Sequence, residues 1–231
     1  LYMGVSSGMF MRQKVLVVGA GWYGCHIAYS LQARGFTVKI VDRADDFFAG
    51  ASRFNQNRLH QGFHYPRCKR TRLQSQRGYH LFRKHYDSFV MDLQYNLYAV
   101  AKDSSIDFET YKDIMSSSRL AFEDVSEVSP FYLKNVSGIV DCEEAVILPS
   151  VAKDFFTEKL SNIVQLGVEV TESDIENLKQ EYDFVVDCSW GGVVPSSHQY
   201  FEACLYFSAR TDKFQNIGLT LMDGGYFSIY P

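Results

Sequence analysis

Between residues 14 and 43 the pattern of apolar positions changes twice. Val15, Leu16, Val17 and Val18 are consecutive, which predicts a short parallel strand buried on both faces. Ile27, Ala28 and Leu31 then recur at helical spacing, and Gly35 is placed to stop that helix. Residues 36–41 are apolar again, with Asp42 at the end of the run. The predicted unit is strand, turn, helix, strand, acid.

Further along the pattern is coarser. Residues 45–63 are polar and irregular, and Tyr65-Pro66 discourages helix at the tyrosine. A helix is predicted over 69–90, with Leu73, Tyr79 or His80, Phe82 and Tyr86 near one face. Residues 94–101 read as a strand, 106–115 as a short helix, and 138–142 as another strand. A helix capped by Ser150 is predicted over 149–166 and ends at Gly167, before a strand over 168–170. Residues 182–189 read as a buried strand that turns at Trp190-Gly191-Gly192. Strands over 201–210, 218–222 and 226–230 follow, the last two joined by a turn at Asp223-Gly224-Gly225.

The turn after the first strand carries chemistry. Gly19, Gly21 and Gly24 form G-x-G-x-x-G. The first glycine permits the tight turn, the second lets a pyrophosphate approach the backbone, and the third lets the helix pack closely on the strand. The helix N-terminus offers unpaired N–H groups and partial positive charge to phosphates. Asp42 lies about 20 residues on, where an acid accepts hydrogen bonds from a ribose diol. This register predicts dinucleotide binding and leaves open which dinucleotide.

Charge sharpens that reading. Residues 1–86 hold 14 Lys and Arg against 3 acids, whereas the whole chain carries a net charge of −4. A basic stretch next to a phosphate-binding turn points to an anionic cofactor or substrate. Nucleic acid is the other reading, through Arg67, Lys69, Arg70, Arg72 and Arg77 with Tyr65 and Tyr79, but no recognised nucleic-acid module frames these residues. Five cysteines without C-x-x-C suggest scattered buried thiols, and with no apolar run of membrane-spanning length the expected location is cytoplasmic. His60, His64 and Cys68 are four apart, but Gly62 and Pro66 break the helix that zinc ligation would need, so no metal is expected. Neither G-x-x-x-x-G-K-[ST] nor G-x-S-x-G occurs, so triphosphate hydrolysis and acyl transfer lack their motifs. Asp141, Glu143 and Glu144 are expected on a solvated face.

The order of motifs resembles a known family. G-x-G-x-x-G, Asp42-Arg43, Gly50-Ala51-Ser52 and Asn57-Arg58-Leu59-His60-x-Gly62-x-His64-Tyr65-Pro66 resemble the FAD-dependent oxidoreductases of the D-amino-acid oxidase type, which include sarcosine, glycine and 2-hydroxy-acid oxidases. The resemblance implies an α/β fold, with a Rossmann-type FAD-binding domain (11–92 and 141–195) and an inserted α+β substrate domain (93–140 and 196–231). It implies FAD as cofactor, held by Gly19, Gly21, Gly24, Asp42 and Arg43. Ala51 and Ser52 would pass the ribityl and pyrophosphate, Val170 would meet the adenine, and Ser189 and Gly191 would lie beside the AMP half. The segment from Arg58 to His64 would pass the isoalloxazine ring. Arg58 is the candidate for holding a substrate carboxylate or polarising the flavin, and His60 for handling a proton.

The implied reaction is oxidation of a small amine, amino acid or 2-hydroxy acid by hydride transfer to flavin. The family closes with a strand, glycine turn and helix that have no counterpart before residue 231, so the chain reads as truncated. Two alternatives stand beside this reading: a nicotinamide-dependent dehydrogenase, disfavoured by the missing third strand–helix unit after Asp42, and a truncated, non-catalytic flavin-binding or interaction domain. The substrate is expected to be a small molecule, and the oligomeric state stays open.

Overall fold

The computed structural model describes residues 12–126, 133–195, 205–210, 216–222 and 227–231. In chain order the elements are β1 (Lys14–Val18), α1 (Trp22–Ala33), β2 (Thr37–Asp42), β3 (Arg58–Leu59), α2 (Lys69–Tyr86), β4 (Val90–Asp92), β5 (Tyr95–Ala101) and α3 (Phe108–Ser117). They continue with β6 (Phe122–Asp124), β7 (Val136–Cys142), β8 (Ala145–Ile147), α4 (Pro149–Leu160), β9 (Val164–Leu166), α5 (Ile175–Glu181), β10 (Phe184–Asp187), β11 (Ile217–Met222) and β12 (Phe227–Ile229). The chain divides into two compact units, residues up to Asn55 with Ser150–Tyr206, and Gln56–Pro149 with Phe207–Pro231.

The first unit is a parallel sheet in the order β10-β1-β2-β9. Val15 to Val18 are buried, as the apolar run requires, and Leu16 pairs with Val185 on one side and Lys39 on the other. Burying each such side chain contributes roughly 1.5–3 kcal/mol. Leu16, Val18 and Val41 of the sheet pack with Val193 in one core cluster, with Val168, Ile175 and Leu178 against it. Elsewhere in the unit an aromatic layer joins α1 to α4. Trp22 lies 4.9 Å from Phe48 and 5.9 Å, edge-on, from Phe156.

Three expectations change here. The helix predicted over 149–166 ends at Leu160, because Val164–Leu166 pairs in parallel with β2. The strand therefore precedes Gly167, and residues 168–170 form no strand. Strand β10 sits at the sheet edge, with Phe184 half exposed, and is not buried on both faces. Helix α5, seven residues long, stands where the sequence reading places no element.

The second unit contains a five-stranded sheet, β12-β11-β5-β7-β6, and a three-stranded one, β3-β8-β4. Strands β11 and β5 are parallel, and the other pairs in both sheets are antiparallel. The interior around Tyr98, Phe63, Tyr111 and Met115 is aromatic-rich and fully enclosed.

Residues 56–92 and 141–149 group with the second unit, because β3 and β4 both pair with β8, and Arg72 of α2 donates to Ser118 Oγ. On α2 the buried face holds Arg72, Tyr79 and Tyr86, whereas Leu73 is exposed. Residues 205–210 form no strand. The rest of the strand expected over 201–210, and the turn at 223–225, lie outside the described residues.

Candidate cofactor site

In the first unit a cavity of about 410 Å³ opens at the carboxyl ends of β1 and β2. Ligands bind at this edge of parallel α/β sheets. The glycines explain its shape. Gly19 has φ +112°, and a Cβ there would lie 2.6 Å from the Cys188 carbonyl oxygen. At Gly21 a Cβ would lie 2.9 Å from Ser52 Oγ, inside the cradle. Gly24 does not line the cavity: a Cβ would lie 1.7 Å from the Gly19 carbonyl oxygen, so it sets how closely α1 approaches the turn. Ser52 Oγ accepts the Trp22 N–H at 3.0 Å, which ties residues 50–52 to the helix N-terminus.

Asp42 lines the same cavity and is pinned from both sides. Its carboxylate accepts the Ala20 N–H at 2.6 Å and the Ala44 N–H at 2.8 Å. A carboxylate has about four acceptor positions, so each oxygen keeps room for a ribose hydroxyl. Arg43, Ala51, Val170 and Ser189 also line the cavity. Gly191 does not, and Gly192 takes that place in the wall. Trp190 was not singled out by its sequence. It lines the cavity while 73% exposed, with φ +62°, a backbone region bulky residues rarely adopt. The Trp-Gly-Gly composition signals the turn but not a tryptophan in that conformation.

The thiols nearby are inert. Burial, with Asp42 and Cys188 adding to it, pushes Cys25 up to about 12, and burial with Asp187 pushes Cys188 up to about 11. Neither is a thiolate at neutral pH. Cys68, in the second unit, is exposed, contrary to the expectation of scattered buried thiols.

Arg58 and His60 belong to the second unit, not to the residues around this cavity. The Arg58 guanidinium donates through Nη2 to Tyr98 Oη at 2.5 Å and lies 4.5 Å from the Tyr230 ring centroid. Burial opposes its charge, but Tyr98, Tyr230 and Glu144 around it hold its pKa above the ordinary value. His60 and His64 are lowered to about 4, by burial first and by Arg58 next, so both are neutral at pH 7. Arg58 Nε, His60 Nδ1 and His64 Nδ1 are buried without a hydrogen-bond partner among the described residues. Unpartnered buried polar atoms are costly, and a ligand is one thing that satisfies them.

Glu144 overturns its sequence expectation. Placed on a solvated face by its acidic neighbours, it is 4% exposed. The basic stretch also changes meaning: Arg72 is buried and donates to the Tyr65 and Pro66 carbonyls, and Tyr79 is buried, so neither is a surface contact. No described helix is long and apolar enough to cross a membrane.

Comparison with known proteins bears on both units. Residues 14–189 match the family model described as FAD dependent oxidoreductase. The chain is 40% identical over 225 residues to the FAD-dependent monooxygenase FPY4 of Fusarium mangiferae, covering 93% of this chain and 60% of that protein. It is 32% identical over 111 residues to the FAD-dependent monooxygenase kojA of Aspergillus flavus, covering 46% of this chain and 26% of that protein. The chain thus spans 60% or less of the length of these curated relatives. Among solved structures, its fold is similar to L-alpha-glycerophosphate oxidase from Mycoplasma pneumoniae with FAD bound, at TM-score 0.58 and 18% identity, covering 70% of this chain and 46% of that one. Glycine oxidase from Geobacillus kaustophilus has a similar fold at TM-score 0.51 and 13% identity, covering 67% and 46%.

Proposed function

The chain belongs to the FAD dependent oxidoreductase family, and from that premise we propose that the protein oxidises a small amine, amino-acid or 2-hydroxy-acid substrate. FAD, which makes the nicotinamide alternative redundant, would supply the two-electron acceptor for the substrate's C–H hydride. The cavity lining suits the AMP half of FAD: Gly19 and Gly21 would leave the backbone open to the pyrophosphate, Asp42 would accept from the ribose, and Val170 and Ser189 would contact the adenosine part. Gly24 acts one step removed, by holding α1 close.

The observation that carries the substrate reading is the set of three unpartnered nitrogens on Arg58, His60 and His64. Arg58 binds a substrate carboxylate. His60, with a pKa lowered to about 4, is by itself a weak proton acceptor. Burial lowers it first and the Arg58 charge second, so a carboxylate paired with Arg58 removes the second cause. His60 then takes the proton that leaves the substrate's amine or hydroxyl as its C–H bond breaks.

The names of the two curated relatives favour a second reading, insertion of oxygen into the substrate. One experiment addresses both. The FAD-loaded chain is mixed anaerobically with sarcosine, amino acids and 2-hydroxy acids, and the flavin bands are followed. Bleaching by substrate alone, with no label in the product when air is replaced by ¹⁸O₂, is the expected result. Label in the product would favour monooxygenation, and no bleaching with any of these compounds would overturn the oxidase reading.

A further inference from the structure

The second unit buries a hydrogen-bond network in which three donors converge on one carboxylate, that of Glu144. Arg58 can only donate, and its Nη2 donates to Tyr98 Oη at 2.5 Å. Tyr98 has one proton, and it goes to Glu144 Oε2 at 2.7 Å. Asn96 Nδ2 donates to the same oxygen at 3.1 Å, and the Gln61 N–H to Glu144 Oε1 at 2.6 Å. Behind Asn96, Tyr230 Oη donates to Asn96 Oδ1 at 3.3 Å and shares a 2.9 Å hydrogen bond with Thr220 Oγ1. Asn96 and Thr220 are almost wholly buried. A Cβ at Gly218 would lie 2.5 Å from Asn96 Oδ1 and 2.6 Å from the Tyr230 ring, so this glycine leaves the room the network occupies.

Direction matters more than the number of bonds. Three donors meet at Glu144, and no described member of the network other than the carboxylate could accept from all three. Burial raises the pKa of Glu144, while Tyr98, Arg58, Gln61 and Asn96 pull it back toward the ionised form. A buried carboxylate alone would be costly, and here it offsets the buried guanidinium through one intervening hydroxyl.

We propose that Glu144 is a positioning residue for Arg58, acting through the Tyr98 hydroxyl to fix the guanidinium in the orientation that receives an anionic substrate group. This rests on the role given to Arg58 above. Glu144 touches no substrate. It fixes the direction of Tyr98's proton, which leaves the Tyr98 oxygen lone pair for Arg58 and the remaining guanidinium surface for the ligand. Glu144→Gln keeps the shape but puts an NH₂ group where donors converge, so one side of the network must break.

The test uses the full chain loaded with FAD and acetate as the probe, read by saturation transfer to its methyl group. Arg58→Ala is expected to weaken acetate at least tenfold. Glu144→Gln and Tyr98→Phe are each expected to weaken it about fivefold or more, and neither is expected to weaken it further in the Arg58→Ala background. A purely structural role would lower the thermal midpoint equally in both backgrounds and leave the affinity of the folded fraction unchanged. Tyr98→Phe, which keeps the ring and the packing, carries the test if Glu144→Gln does not fold. If Arg58→Ala weakens acetate but a folded Glu144→Gln or Tyr98→Phe chain binds it as the native chain does, the positioning role is overturned and Arg58 keeps its function. If acetate does not bind, or binds regardless of Arg58, the reading of Arg58 itself fails.

Discussion

In the first unit the polar site is mostly backbone. Gly19, Gly21 and Gly192 open the cavity wall, and the Ala20 and Ala44 amides hold Asp42 in place. In the second unit the polar cluster is made of side chains from β3, β5, the β7–β8 connection and the residue after β12. A site of backbone needs residues that leave space, and those sit close together in sequence. A site of side chains needs groups that fill space, and only the sheet topology gathers them. The two sites should therefore fail differently when altered.

The largest effect is expected at Gly24. A methyl group there would lie 1.7 Å from the Gly19 carbonyl oxygen, and that atom is backbone at the tightest point of the turn. Helix α1 must move away from β1, which disrupts the packing and the cradle together. Gly24→Ala should cost about 3 kcal/mol or more, at or beyond the upper end of overpacking effects, and should abolish FAD retention. Chemical denaturation and flavin absorbance after gel filtration measure both. Near-native stability would break the comparison, because it would show that the first unit tolerates filling.

The second unit should instead fail with pH. His60 and His64 have pKa values of about 4 in the folded chain against an ordinary 6.5. A base whose folded pKa lies below its unfolded value takes up protons more readily unfolded, so stability is full above about pH 6.5 and falls as the pH drops toward 4. The expected loss is roughly 2–3 kcal/mol per imidazole across that window. Urea unfolding at a series of pH values measures it. A His60→Gln, His64→Gln chain should show a flatter profile, and an unchanged slope would mean that other groups set it.

The same contrast explains what was legible in the sequence. The parallel strands β1 and β2, helix α1 and the glycine turn follow from local pattern, since Val15 to Val18, Gly19, Gly21, Gly24 and Asp42 each act on near neighbours or on the backbone. The family, and with it FAD, was legible for the same reason. Glu144 was not, because its sequence neighbours Asp141 and Glu143 suggest a wet face, whereas its partners Tyr98 and Asn96 are more than forty residues away. The end of α4 was misread because the apolar positions Ile163 and Val164 continue a helical period. Pairing of Val164–Leu166 with β2 overrides that local preference. The grouping of β3 with the second unit was not legible for a similar reason: β3 is two residues long, and its partners β8 and Tyr98 lie far from it in sequence.

The smallest effect sharpens the comparison most, because it uses the same substitution on another helix. Gly78 lies in the interior of α2, and a Cβ there would meet nothing within 4 Å. It is exposed, so no packing offsets the backbone entropy that a mid-helix glycine loses on folding. Gly78→Ala should stabilise the chain by roughly 0.5–1 kcal/mol, read as a higher denaturation midpoint with an unchanged slope, and leave FAD retention as it is. Gly24 and Gly78 are both helical glycines without positive φ, so the backbone conformation accepts alanine at either position. Opposite signs would assign the difference to the close approach of α1 to Gly19 and Val17. A destabilised Gly78→Ala chain would show instead that some group closes on that face of α2, and the second unit would then also depend on a glycine for close approach.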